Sequence, residues 1–195
     1  MNDAELETRL RQGGLRLAFD TNAVTADRKF NNLCNDFSRW NLMLEAKNLP
    51  KVQLVVCIVA HIEKLFDLKQ KFRETFDLDV ILAGLQSKGV AVEDFSAVHA
   101  LETAVRLGDA YPNSSEWRQA KKKRCLECVG LQFTTPTPGT GKHCGATVDW
   151  LIGGHARASE SLLVTDDQGL EFKGLERIRL DRLVAALQRL LGEST

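Results

Sequence analysis

The chain has 195 residues, 44% of them hydrophobic and 27% charged, a balance that suits one soluble globular domain and is marginal for two. Its 26 Lys and Arg match its 26 Asp and Glu, so net charge is zero, and binding to nucleic acid would need a local basic patch rather than bulk charge. No apolar run approaches the roughly 20 residues of a membrane helix. The opening MNDAELETRLRQGG has no apolar leader region, and the five cysteines are an odd number, which suits a reducing compartment better than a disulfide scaffold. The expectation is a cytoplasmic protein with no membrane association.

No internal repeat, low-complexity tract or linker divides the chain. Residues 1–14 read as an arm: a helix over 3–11 with Leu6 and Leu10 on one face, ended by Gly13-Gly14. LRLAF at 15–19 predicts a short strand that stops at Asp20-Thr21-Asn22. Phe30, Leu33, Cys34, Phe37, Trp40 and Leu44 then recur at helical spacing and define one buried face. VQLVVCIVA at 52–60 is uninterrupted and rich in β-branched residues, the pattern of a strand buried on both faces of a parallel sheet. HIEKLFDLKQKFRE follows with helical period, through Ile62, Leu65, Phe66 and Phe72.

A second helix near 79–88 takes Asp79 as its N-cap, Gly89 ends it, and VAVEDF at 90–95 predicts a third strand. Ser96 caps a helix reaching about Leu107. Residues 109–146 break the alternation as an insertion, with a helix in SSEWRQAKKKRCLECVG and a loop in FTTPTPGTGKHCGA. VDWLIGGHARAS predicts a helix from about Asp149, SLLVT at 161–165 a fourth strand, LERIRL at 175–180 a fifth, and DRLVAALQRLL a closing amphipathic helix. Strands and helices alternate almost throughout, so the expected class is α/β with a five-stranded, mostly parallel sheet in a single domain.

The acids fall at equivalent places. Asp20 follows the first strand, Glu63 opens the helix after the second, Asp149 opens the helix after the insertion, and Asp167 follows the fourth strand beside Asp166. In an open α/β sheet, strand C-terminal ends and the N-termini of the next helices share one edge, where ligands bind at the switch in strand order. Four carboxylates drawn together need an offsetting charge, and hard oxygen ligands suit Mg²⁺ or Mn²⁺. Two such cations about 3.5–4 Å apart suit in-line phosphodiester hydrolysis. Each acid taken alone is more readily a helix cap than a ligand; it is the four at equivalent places that point to a site.

LRLAFDTNAV, LVVCIVAHIEK and VDWLIGGHARASESLLVTDDQGLEFKGLERIRL resemble the PIN-domain nucleases, including the VapC-type toxins. The family's strand ending in Asp-Thr-Asn is matched by Asp20, Thr21 and Asn22, and its Glu past the second strand by Glu63. Its helix opening Asp-x-Leu-Ile-x-x-x-Ala is matched by Asp149, Leu151, Ile152 and Ala156. Its close is matched by Val164, Thr165, Asp167 and Phe172, with Asp167 18 residues after Asp149. The resemblance covers roughly residues 15–108 and 144–182.

It implies a three-layer sandwich with a five-stranded sheet in the order 3-2-1-4-5. Asp20, Glu63, Asp149 and Asp167 would bind Mg²⁺ or Mn²⁺, with Asn22 and Thr165 as supporting hydrogen-bond partners. The implied activity is endonucleolytic cleavage of RNA. The implied partners are a cognate antitoxin and a second copy, to which the arm and the closing helix could contribute. A catalytically silent PIN-like interaction module is the alternative. Two departures stand out: the insertion is longer than in compact VapC toxins, and Asp166 adds a fifth acid. Adjacent side chains after a strand point to opposite sides, so Asp166 is expected to face solvent.

Within the insertion, Trp117, Arg118, Lys121, Lys122, Lys123 and Arg124 form a basic helix flanked by an aromatic ring. Such a set suits phosphate contact and base stacking, and equally a solvated face with Trp117 packed on the core. Cys125 and Cys128 have a zinc-knuckle gap, but His143 and Cys144 are adjacent and chelate poorly together; the alternative for the first pair is a place in the core. GTGK at 139–142 lacks the full phosphate-loop spacing, while Lys142 and His143 lie just before Asp149 and could meet a scissile phosphate. His61 and His155 read as helix-surface or core residues, and Cys34 and Cys57 as inert residues on apolar faces.

Overall fold

The computed structural model describes residues 1–128 and 147–192, and within these the side chains of Asp27, Glu63, Asp67 and residues 124–128 lie outside the description. The chain runs α1 (Asp3–Gln12), β1 (Arg16–Phe19), α2 (Thr21–Thr25), α3 (Asp27–Ala46), β2 (Gln53–Cys57), α4 (Ile58–Phe72), α5 (Leu78–Gln86) and β3 (Val90–Glu93). It continues through α6 (Ala97–Ala110), α7 (Ser114–Cys128), α8 (Val148–Ala158), β4 (Leu162–Val164), β5 (Arg177–Ile178) and α9 (Leu180–Gly192). Short 3-10 turns occupy Arg73–Thr75 and Leu170–Phe172.

The five strands form one sheet in the order β3-β2-β1-β4-β5, and every neighbouring pair is parallel. Strand order therefore reverses between β1 and β4. Packing groups α1, α3 and α9 together, and α4, α6 and α8 together. The pairing register fixes which side chains share a face. Leu17, Leu54, Val90 and Leu162 are level with one another, as are Phe19, Val56 and Val164. These residues are buried against α3 and α9; Phe19 meets Phe30 of α3 edge-on, with ring centroids 5.2 Å apart. All six helical positions read from 30 to 44 are buried.

The arm belongs to this layer. Leu6 and Leu10 are fully buried, and Trp40 Nε1 donates to the Leu10 carbonyl at 3.1 Å. Arg189 pairs with Glu7 at 2.7 Å, and Arg182 with Asp3. A Cβ on Gly13, whose φ is +71°, would stand 1.9 Å from the Pro50 carbonyl oxygen, so the turn after α1 requires glycine. α1 and α9 bury their apolar faces on their own chain, so those faces are already covered.

On the opposite face α6 and α8 pack closely and antiparallel, with the His99 and His155 rings 4.4 Å apart. Gly154 allows this approach, since a Cβ there would fall 1.9 Å from Thr103 Oγ1. Ser96 heads α6, its N–H donating to His99 Nδ1 at 2.9 Å.

Several boundaries differ from the sequence reading. The apolar run 52–60 is a strand only to Cys57; Ile58 begins α4, because an uninterrupted β-branched run does not distinguish strand from buried helix. Asp77, not Asp79, caps α5, its carboxylate accepting from Asp79 N at 2.9 Å and Val80 N at 3.2 Å. The fifth strand shrinks to Arg177–Ile178 at the sheet edge. No described helix is long and apolar enough to cross a membrane.

Candidate active site at the strand-order switch

β1 and β4 end side by side, and the residues that follow them meet. Asp20 N donates to the Val164 carbonyl at 3.1 Å, continuing the β1–β4 ladder one residue past the strands. The Asp20 side chain caps α2, accepting from Thr21 N at 2.6 Å through Oδ1. Its Oδ2 accepts from Thr165 Oγ1 at 2.6 Å and from Asn22 Nδ2 at 2.9 Å. The same Asn22 amide lies 3.2 Å from Thr165 Oγ1 and 3.3 Å from Asp167 Oδ2. Asp167 N donates to Thr165 Oγ1 at 3.0 Å. Thus Asp20, Asn22, Thr165 and Asp167 form one network, and two carboxylates share a single amide donor.

Burial is uneven across this network. Asp20 and Thr165 are each 2% exposed, whereas Asp167 stands at the surface. Among the described residues the Asp167 carboxylate has no ion-pair partner; Arg177 donates instead to its backbone carbonyl at 3.1 Å. Asp166 turns the other way, as expected of adjacent side chains, and pairs with Arg179 at 3.2 Å in an exposed position.

The other predicted residues are placed less tightly. Asp149 is the second residue of α8, half-buried, and α8 packs on α4 and on the turn Leu170–Phe172 just past Asp167. Glu63 lies in the second turn of α4 rather than opening it, a consequence of the earlier helix start; its side chain is outside the described residues. Lys142, His143, Cys144 and the Cys125 and Cys128 side chains also lie outside them, as does the side chain of Arg124.

Trp117 is not an open stacking platform. It is half-buried between Tyr111 and Trp150, with centroid distances of 5.3 and 6.1 Å, and the Lys121 ammonium sits 5.7 Å from its ring centre. Lys122 and Lys123 are exposed and line a groove of about 540 Å³ with Tyr111, Glu116 and Gln119.

Two histidines are buried. His61, in the first turns of α4, is 2% exposed, and among the described residues neither ring nitrogen has a hydrogen-bond partner; burial, then Lys64, holds it below the ordinary imidazole range. Thr21 Oγ1 ties α2 to the adjacent Ala60 carbonyl at 3.2 Å. His155 Nε2 is 3.2 Å from Glu93 Oε2 but off the line a hydrogen bond needs. Arg16 completes that pair by bonding Glu93 from β1. Sequence periodicity marks both histidines only as helical positions; no local signal reveals that they are enclosed.

The donor set assembled here consists of hard carboxylate oxygens with amide and hydroxyl supports, which fits Mg²⁺ or Mn²⁺ in kind. Among the described residues no group of three or more His, Cys, Asp or Glu side chains forms a metal-holding cluster, so Asp20 and Asp167 are the acids that the geometry brings together. Neither a family model nor a curated protein matches the chain.

Proposed function

We propose that the protein is a Mg²⁺- or Mn²⁺-dependent endoribonuclease that hydrolyses RNA phosphodiester bonds. The observation that carries this reading is the shared network of Asp20 and Asp167 at the β1–β4 switch, where open α/β sheets bind their ligands. Two like charges on one amide donor call for a cation, and Asp167 has no basic partner among the described residues. Asp20, Asp149, Asp167 and Glu63 would hold the ions. When bound, such ions activate water and stabilise the leaving oxygen.

The chain's own residues do the positioning. Thr165 and Asn22 fix the Oδ2 edge of Asp20, and Thr21 N fixes the other. Asn22 sets the spacing between the two acids. Lys122, Lys123 and the Tyr111 groove supply phosphate and base contacts along α7.

The finer reading, a toxin restrained by an antitoxin, rests on the sequence resemblance. Homodimerisation in this reading uses the exposed face of α6, where Val98, Leu101 and Val105 are each more than half exposed.

The test is cleavage of a mixed RNA pool in Mg²⁺ or Mn²⁺ by the wild type, Asp20→Asn and Asp149→Asn. Each substitution is expected to lower the rate by about 100-fold or more. Activity that survives both substitutions overturns the mechanism. A wild type that cuts no RNA transfers the fold to the silent interaction module.

A further inference from the structure

We propose that a cavity beside the acids is a guanine-reading subsite for the RNA strand entering the cleft; this rests on the ribonuclease reading. The cavity measures about 340 Å³ and is lined by Arg106, Asp109, Ala110, Trp150, Leu170 and Lys173. That volume is at the small end for ligand sites and takes one nucleobase with its sugar. Its position is set by the elements already described. Trp150 follows Asp149 directly in the first turn of α8, and Leu170 and Lys173 bracket the turn just past Asp167. The C-terminal end of α6 closes the remaining side.

One polar group in this cavity, Arg106, is held in place. Arg106 Nη2 donates to the Glu171 carbonyl at 2.7 Å and to the Lys173 carbonyl at 3.2 Å, which locks the guanidinium plane. Its Nε is buried with no partner, and its Nη1 has no acceptor among the described residues. Burial pulls this guanidinium below its ordinary pKa, with Arg157 adding to the effect and Glu102 and Asp109 opposing it. Asp109 makes no hydrogen bond or ion pair with any described residue, and no ion pair joins it to Arg106 or Lys173. A carboxylate and two cationic donors thus share one small cavity without neutralising each other by contact. Leu170, 44% exposed, supplies an apolar wall.

Guanine is the base that matches this set. Its N1–H and N2–H₂ donors together suit one carboxylate, and its O6 and N7 acceptors suit Arg or Lys. Adenine offers an acceptor at N1 and a donor at N6, which would leave both sides of the cavity mismatched. Polar groups of the cavity left without a matching partner are what discriminate between such close analogues. RNA single strands with splayed bases present these edges.

The experiment uses the full chain carrying Asp20→Asn, which slows turnover, and fluorescence anisotropy with uridine 9-mers bearing a central G, A or C. The G oligonucleotide is expected to bind about tenfold or more tightly than the A oligonucleotide. Asp109→Asn, an exposed substitution, and Lys173→Ala should each shrink that preference to less than about twofold, with unchanged thermal melting. Equal binding of the three oligonucleotides, or a preference untouched by Asp109→Asn, overturns the subsite. Cleavage mapping of the wild type on a mixed pool separates the two claims. Cutting with no guanine bias near the scissile bond overturns the subsite alone. Guanine-selective binding by a wild type that cuts nothing upholds the subsite and overturns the nuclease reading.

Discussion

The Thr165 hydroxyl donates to Asp20 Oδ2 at 2.6 Å across the seam where strand order reverses, and the same oxygen accepts from Asp167 N at 3.0 Å. One buried hydroxyl therefore fixes both acids relative to the sheet. Thr165→Val keeps the shape and removes the donor and acceptor together. It leaves Asp20 Oδ2 short of one partner, so stability should fall by about 1–3 kcal/mol in urea melts, with a loss of RNA cleavage. Thr165→Ser retains the oxygen and should stay within about 1 kcal/mol of wild type. A fully active Thr165→Val protein would show that the hydroxyl does not organise the acids.

Gly154→Ala tests the α6–α8 contact. The added methyl would collide with Thr103 Oγ1 at 1.9 Å and crowd the Thr103 Cα at 3.0 Å, so backbone as well as side chain has to yield. The expected cost is about 1–3 kcal/mol, read as a lower urea midpoint at unchanged slope. Because α8 carries Asp149 and Trp150 at its other end, cleavage should drop as well.

Stability should fall as the solution is acidified through the histidine range. Burial holds the His155 pKa down, with His99 and Arg16 adding and Glu93 opposing. The unfolded chain then takes up this proton at a higher pH than the folded protein does. The contribution of neutral His155 is intact above about pH 6.5 and declines below it, by at most about 1.4 kcal/mol per pH unit, until the folded group protonates. Urea midpoints at pH 7.5 and 5.5 measure this. The gap between them should be wider for wild type than for His155→Leu; equal gaps would contradict the assignment. His61, also buried and held low, contributes in the same direction and leaves a residual slope in the variant.

The two cysteines of the sheet layers should resist thiol reagents. Burial raises the Cys34 pKa to about 11, against a weak opposing effect of Lys88, and raises that of Cys57 as well. The thiolate is the reacting species, so iodoacetamide at pH 8 should spare both peptides in the folded protein and label both in denaturant, as read by mass spectrometry. Rapid labelling of Cys57 in the native state would mean that the end of β2 opens.

Much of the fold is legible in the sequence because β1 and β4 are short apolar runs closed by a polar residue, and because Phe30 through Leu44 repeat at helical spacing. Asp20, Asn22, Thr165 and Asp167 are legible for the same reason: the end of a strand is a marked place. The start of α4 is not, because Ile58 and Val59 extend the apolar run of β2 and Cys57 offers no side-chain cap to mark a boundary. That one-turn error moves Glu63 along the helix. The Arg106 cavity and the Tyr111–Trp117–Trp150 cluster leave no local pattern, since each joins elements far apart in sequence. The enclosure of His155 likewise depends on Arg16 and Glu93, which come from two other strands.

The central strand β1 has β2 on one side and β4 on the other, so Asp20 gains its Thr165 partner only after the later strand docks. Pairings of such long range form late in folding. A nascent chain therefore lacks the assembled acid pair until β4 and Thr165 have been made and have docked. For a protein proposed to cut RNA, this order of events keeps the two acids apart until that step.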